Sequence, residues 1–347
     1  MEQMRSGDQD AILGLMDQMG TADEVLVFTR LSEDEQSELL MLLGPEHAAE
    51  LIQALPEALA ADAIEALEPA EAALILARMP SNEQADVIGE LDDDDVGAIV
   101  GHMSEADAHD MRRLAAYPDD VAGGLMVTEY LSYSVNARVA EVIEDLGANA
   151  EKYAHYDIQY AYVVDEHDQL VGVLRMRDLL LAPRQRPLRE VMIDSPVSVR
   201  DDAPLERLVR FFDENRFFGV PVLDGSGALC GVVHRVAVES AVAEHGDRMY
   251  LSAQGIVGGE ELRTMPLMRR ARRRLSWLSV NIVLNMIAAS VIAMHQDTLE
   301  AVIALAVFLP IISDMSGCSG NQAVAVSMRE LTLGVVRPSE IGRTVLA

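Results

Sequence analysis

The sequence predicts a multidomain chain: an all-α superhelical repeat domain, an α/β tandem and an α-helical transmembrane segment. Three observations carry that prediction. Charge falls along the chain from strongly acidic to neutral, apolar residues recur every twelve positions in the acidic part, and twenty uncharged residues run together near the end. Of 347 residues, 57 are Asp or Glu and 27 are Lys or Arg, for a formal charge of −30. Residues 1–120 hold 29 acids against 5 bases, residues 121–250 hold 21 against 13, and residues 251–347 hold 7 against 9. The net charges are −24, −8 and +2, so the chain joins three physically different objects.

Composition removes several functions. A pI near 4.5 argues against a nucleic-acid partner, which needs a basic face. Two cysteines, Cys230 and Cys318, make neither a disulfide framework nor a paired zinc site, and fit a reducing compartment. The N-terminal stretch MEQMRSGDQDAILG lacks the basic start, apolar run and small-residue cleavage site of a signal peptide. The head is therefore expected on the cytoplasmic side. No Gly-rich phosphate loop, nucleophile–base pair or His cluster appears, so the chain is not expected to be an enzyme.

In residues 1–120, Leu or Met recurs at Leu31, Leu43, Leu55, Leu67, Met79, Leu91 and Met103. An apolar pair follows at fixed offset: Leu39-Leu40, Leu51-Ile52, Ala63-Ile64, Ile75-Leu76, Val87-Ile88 and Ile99-Val100. Ser32, Pro45, Pro56, Pro69, Pro80-Ser81, Asp92 and Ser104 sit where helices begin. Each unit reads as a helix of about two turns and a tight turn. Such a helix cannot bury its apolar face alone, so the units must stack. Asp92, Asp93, Asp94 and Asp95 stand at one helix start. They serve either as an acidic cap on the helix dipole or as oxygen ligands for a hard divalent cation.

Residues 121–246 read as two α/β repeats, about 126–182 and 190–245. Val139–Leu146 is helical, Tyr160–Val164 and Leu170–Leu174 are strands around a polar turn, and Arg177–Leu181 opens a closing helix. Ala203–Asn215, Gly219–Leu223 and Leu229–Val233 repeat that order around Asp224-Gly225-Ser226-Gly227, a hairpin signal. VVDEHDQLVGVLRMRDLL aligns with PVLDGSGALCGVVHRVAVES, an internal duplication. The two segments resemble a pair of CBS domains, regulatory modules that dimerise and often bind adenosyl ligands. The first copy carries the family's pattern ending in Asp178. The second reads Gly231-Val232-Val233-His234-Arg235-Val236 and lacks the usual acid, so an adenine nucleotide at the pair stays an open expectation.

Leu275–Met294 holds twenty residues without a charge, and at 1.5 Å per residue it spans about 30 Å, a bilayer's hydrocarbon core. Trp277 lies near one end and Arg269-Arg270-Ala271-Arg272-Arg273-Arg274 directly before it. The positive-inside rule places that side in the cytoplasm. A second span is expected over about 300–328. It contains Pro310, Ser313, Asp314, Gly317, Cys318, Gly320, Asn321 and Gln322, which predict a broken helix lining a polar pathway. Asp314 inside a span reads as a pathway residue, and with Ser313, Asn321 and Gln322 it supplies oxygens suited to a hydrated cation. Close packing through small residues is the other reading of the Gly/Ser cluster.

The whole order resembles the MgtE magnesium transporter/channel family. Its most specific matches are Tyr117-Pro118-Asp119-Asp120-Val121-Ala122-Gly123-Gly124-Leu125-Met126, Arg272–Leu278, and Pro310, Gly317 and Gly320-Asn321-Gln322. The resemblance implies a homodimer in the cytoplasmic membrane, with its N-terminus cytoplasmic, that conducts Mg²⁺. It also implies regulatory Mg²⁺ held between acidic faces of the cytoplasmic domains, with Asp247 and Asp314 as further metal candidates beside Asp92–Asp95. The implied division is an N domain at 1–120, a CBS pair at 121–246, a connecting helix at 247–274 and a membrane region at 275–347. Family members have five spans, whereas this sequence reaches two and the start of a connector. Cys318 stands where the family has an asparagine oxygen, and a soft sulfur is a poor Mg²⁺ ligand. Arg216, Arg235 and Arg248, beside His234, align with family acids. They are expected to pair with the Asp92–Asp95 region in place of the regulatory cation. The function expected is divalent-cation, above all magnesium, transport regulated by the cytoplasmic domains. The alternative is a CBS-containing membrane sensor or scaffold that transports nothing itself.

Overall fold

The computed structural model describes residues 9–16, 18–154, 156–253, 267–295, 297 and 307–332. The chain divides into two units, 1–242 and 243–347.

The first unit opens with stacked short helices: α1 (Gln9–Met16), α2 (Thr21–Phe28), α3 (Glu33–Gln53), α4 (Glu57–Glu65), α5 (Pro69–Leu76), α6 (Ser81–Gly89), α7 (Asp93–Val100) and α8 (Glu105–Leu114). The repeat explains their spacing. Leu31, Leu55, Leu67, Met79, Leu91 and Met103 each stand just before the helix N-cap and turn into the core at the corner between helices. The apolar pairs lie on the inner face near each helix end, and all twelve residues of those six pairs are buried. Ser32 starts α3 with a reciprocal capping box: its Oγ accepts from the Glu35 N–H, and Glu35 accepts from the Ser32 N–H at 3.0 Å. Helix α3 holds two repeat units. Gly44, at φ 76°, kinks it just before Pro45, which cannot donate an interior hydrogen bond.

The α/β part forms two four-stranded sheets. β1 (Met126–Val127), β2 (Leu131–Ser134), β3 (Tyr160–Val164), β4 (Leu170–Arg175), β5 (Ile193–Asp194), β6 (Val199–Arg200), β7 (Gly219–Leu223) and β8 (Leu229–His234) order as β2-β3-β4-β5 and β1-β8-β7-β6. The duplication is exact in topology: a parallel pair, an antiparallel hairpin, and a bulge near the end of β3 and of β7. The first strand of the region, β1, pairs with the second repeat's hairpin, which ties the repeats together. Helices α9 (Ala122–Leu125), α10 (Val139–Ala148), α11 (Ala150–Tyr153), α12 (Met176–Leu181) and α13 (Leu205–Glu214) connect and cover the sheets. At the two hairpin turns Asp165 and Asp224 play one part. Each carboxylate accepts backbone N–H groups two and four residues on; the Ser226 hydroxyl, donating at 2.7 Å, and then the backbone bonds hold Asp224 below the usual carboxylate range, and the backbone bonds do so for Asp165.

The second unit contains the end of α14 (Arg235–Ala253), α15 (Leu267–Met294) and α16 (Leu309–Thr332). Among the described residues no helix is long and apolar enough to cross a membrane. Over 278–294 the helix nevertheless leaves Leu278, Ile282, Leu284, Met286, Ile287 and Val291 about half exposed or more. The expected break in the second span is corrected: Leu309–Thr332 is one helix. Pro310 is its second residue, where a missing N–H takes no bond from the helix. A Cβ at Gly317 or Gly320 would meet nothing within 4 Å, so neither glycine marks a close approach.

Candidate functional site

The residues expected to hold or replace cations are spread over several elements. Asp92 is the N-cap of α7 and Asp93–Asp95 its first turn, with no side-chain capping bond from Asp92. Asp92, Asp93 and Asp94 are exposed and Asp95 is half-buried. Among the described residues, no three His, Cys, Asp or Glu side chains converge to hold a metal ion. Pro310, Asp314, Gly317, Cys318, Gly320, Asn321 and Gln322 lie exposed on α16. The side chains of Asp247, Ser313, Trp277 and Arg269–Arg274 lie outside the described residues.

Arg235 and Arg248, expected to pair with Asp92–Asp95, have these described partners. Arg235 donates to Phe217 O at 3.0 Å, Phe212 O at 2.7 Å and Asn215 O at 2.5 Å, closing the open carbonyl end of α13. Its guanidinium also lies 4.9 Å from the centre of the Phe212 ring. Arg248 pairs with Glu244 one turn earlier, at 3.6 Å. Arg216 is exposed in the loop between α13 and β7. In the first repeat, the motif acid Asp178 meets Arg175 Nε at 2.6 Å and Arg177 at 3.4 Å. These partners hold its carboxyl below the usual range.

The helical domain and the second repeat share a core. Ala85 of α6 and Leu114 of α8 pack in one cluster with Met126, Leu208, Val220 and Val233. The linker is drawn into it. The Gly123 N–H donates to Asp201 O, Ala122 N–H to Ala203 O, and Leu205 N–H to Asp120 O, each at 2.8 Å. A Cβ on Gly123 would sit 2.4 Å from the Tyr117 ring, and one on Gly124 2.3 Å from Pro118 O. The paired glycines in that motif let the chain fold back on itself. The Tyr117 hydroxyl donates to Asp201 at 3.0 Å; burial first, then that carboxylate, pushes it up to about 12. Arg113 of α8 reaches Cys230 O at 3.3 Å, and burial lifts the Cys230 thiol to about 11.

A second joint forms at Ser81, the first residue of α6, which is 6% exposed. Its Oγ donates to the Glu129 carboxylate at 2.8 Å and accepts from the Thr128 N–H at 2.9 Å; its own N–H reaches Glu129 at 3.3 Å. A carboxylate there also complements the positive end of the α6 dipole. Glu129 continues into a cleft between the CBS repeats, together with Tyr130, Asp157, Tyr160, Tyr162 and His234. The His234 ring nitrogen lies 3.7 Å from Asp157, and burial pushes its pKa below the ordinary value of 6.5, against the pull of Asp157 and Glu129. The sequence marks Ser81 only as a helix start and carries no sign of Arg113, Glu129 or Asp157, because each acts on a partner 47 or more residues away. Only the Tyr117–Met126 match pointed toward this junction.

With this geometry in place, comparison with known proteins is specific. The MgtE intracellular N domain model matches residues 19–120, and the CBS domain model matches 121–184 and 188–244. The magnesium transporter MgtE of Enterococcus faecalis is 30% identical over 244 residues, 70% of this chain and 52% of that protein. MgtE of Thermus thermophilus is 32% identical over 227 residues, 64% of this chain and 49% of its own length. The chain thus spans about half the length of the curated relatives it matches. The crystal structure of the cytosolic domain of the Mg²⁺ channel MgtE in complex with ATP superimposes with a TM-score of 0.62. It is 28% identical and covers 69% of this chain and 97% of that one. The soluble part of a magnesium transporter gives 0.63 at 23% identity, which speaks for the fold alone. Over residues 19–244 the chain is an MgtE intracellular N domain followed by a CBS pair, and it belongs to the MgtE family.

Proposed function

We propose that the chain is the regulatory and membrane-entering part of a magnesium transport protein of the cytoplasmic membrane, and not an enzyme. The observation that carries this is the N domain–CBS order, matched across nearly the whole cytosolic domain of a Mg²⁺ channel. Residues 1–120 form the N domain, 121–246 the CBS pair, 247–274 the connecting helix and 275–347 the membrane region. The apolar side chains exposed around the helix at 278–294 support a bilayer as its surroundings, since a helix apolar on all sides needs an apolar environment. The arginine-rich stretch 269–274 supports a cytoplasmic N-terminus.

In this reading Asp92–Asp95 and Asp247 attract regulatory Mg²⁺, while Asp314 with Ser313, Asn321 and Gln322 meets the transported ion. Pro310, Gly317 and Gly320 lie on the same helix. The protein works as a homodimer in lipid. An adenine nucleotide binds near Asp178 in the first CBS repeat, where Arg175 and Arg177 supply positive charge for phosphate. Expression in a bacterial host stripped of its own Mg²⁺ uptake systems tests the reading. Growth at low external Mg²⁺, lost in Asp314→Ala, is the expected result. Growth no better than the empty host contradicts transport and favours the sensor or scaffold function.

A further inference from the structure

His234, whose charge can change near neutral pH, is held between the two CBS repeats. It ends β8 of the second repeat, and its side chain is 19% exposed. Across from it Asp157, which leads into β3 of the first repeat, stands 3.7 Å from the ring nitrogen. On its own hairpin it pairs with Gly219 of β7, where a Cβ would lie 3.8 Å from its Nδ1. Glu129, Tyr130, Tyr160 and Tyr162 line the same cleft, and no Arg or Lys is among its described lining residues. The adjacent Arg235 gives its guanidinium to carbonyls at the end of α13.

A neutral imidazole suits this place. Burial opposes a charge on the ring more than Asp157 and Glu129 favour one. A form with the repeats parted hydrates the ring and takes the proton more readily, so acid favours that form by linkage. The cleft is also tied to the N domain. Glu129 accepts from the Ser81 hydroxyl and N–H at the start of α6, and the Thr128 N–H donates to Ser81 Oγ. Tyr156, on the segment that carries Asp157, lies close to the same joint: burial first, then Glu129 and Asp107 of α8, push its hydroxyl up. Parting the repeats at His234 therefore moves residues that hold α6.

We infer that His234 is a proton-operated latch. Neutral, it lets the CBS repeats close on each other and keeps the N domain docked through Glu129 and Ser81; protonated, it parts the repeats and loosens that joint. The signal is a fall in pH, and the response is a freer N domain. The latch goes beyond the magnesium-transport reading and stands independently of it, since it concerns only contacts between the N domain and the CBS pair.

Limited proteolysis of the full chain in detergent, from mildly alkaline to mildly acidic pH, tests this. A protease that cuts after acids reads the linker at Asp119 and Asp120, and its rate is normalised at each pH to that on an unfolded substrate. Linker cleavage is expected to rise severalfold on acidification. His234→Gln, which stays neutral, removes the rise. Asp157→Asn, at a largely exposed position that keeps the fold, moves the rise to lower pH, because a carboxylate that favours the charged ring is gone. His167→Gln, in an exposed turn, keeps the parent profile. No rise in the parent, the same rise in His234→Gln, a rise that Asp157→Asn leaves in place or moves to higher pH, or loss of the rise in His167→Gln overturns the proposal.

Discussion

Gly123, Arg235 and His234 show how much single side chains decide here. The Tyr117 ring occupies the space a Cβ on Gly123 would need. Gly123→Ala should therefore lower unfolding stability by about 1–3 kcal/mol, the usual cost of overpacking, read as a drop in urea midpoint without a change in slope. Arg235 had looked in sequence like a replaced metal ligand. Its three carbonyl bonds make it the cap of a neighbouring helix, a role set by a partner about twenty residues back and invisible in any local pattern. Arg235→Lys should lose part of that fork and destabilise the second repeat more than Arg216→Lys, whose side chain is exposed. His234 ties stability to pH. Its folded pKa lies below the unfolded value of 6.5, so the unfolded chain takes up this proton first. The contribution of neutral His234 is full above about pH 6.5 and is lost as pH falls through the folded pKa. His234→Gln should flatten that part of the pH–stability curve, measured as the difference in urea midpoint between the two proteins.

At the scale of elements, the helical repeat was the most legible part. Leading Leu/Met and helix-start residue keep one phase over seven units and the apolar pair over six, and outside the kink of α3 each maps to a corner, a cap or an inner face. Ile64 and Leu76 are fully buried, so Ile64→Ala or Leu76→Ala should cost about 2–5 kcal/mol, checked by chemical denaturation. The CBS hairpins were legible for a similar reason, because duplicated turn acids announce duplicated strands. The break expected around Pro310 was misread. Proline and glycine were weighed as breakers, but one sits in the first turn and the others lie in open space on a continuous helix. The candidate site was the least legible, since the contacts joining Ser81 to Glu129 and Arg113 to Cys230 link distant segments.

For the whole molecule, the charge gradient takes on a physical meaning. A domain of net −24 is docked on its neighbour through apolar residues and a few neutral or charge-assisted bonds, not through a band of arginines. Removing one such bond should loosen the docking without unfolding either part. Glu129→Gln leaves the start of α6 without its anion and should speed protease cleavage in the 115–121 linker, while the urea midpoint moves by no more than about 1 kcal/mol. Dense carboxylates on the exposed side of that domain would concentrate cations at its surface. The most direct measurement is Mg²⁺ entry into proteoliposomes holding the purified chain, followed with an internal Mg²⁺ indicator. Entry above that of protein-free vesicles, with its dependence on Mg²⁺ at the cytoplasmic-domain face altered in Glu129→Gln, is expected for a magnesium transport protein regulated by its N domain–CBS assembly. Entry equal to that of protein-free vesicles would contradict it.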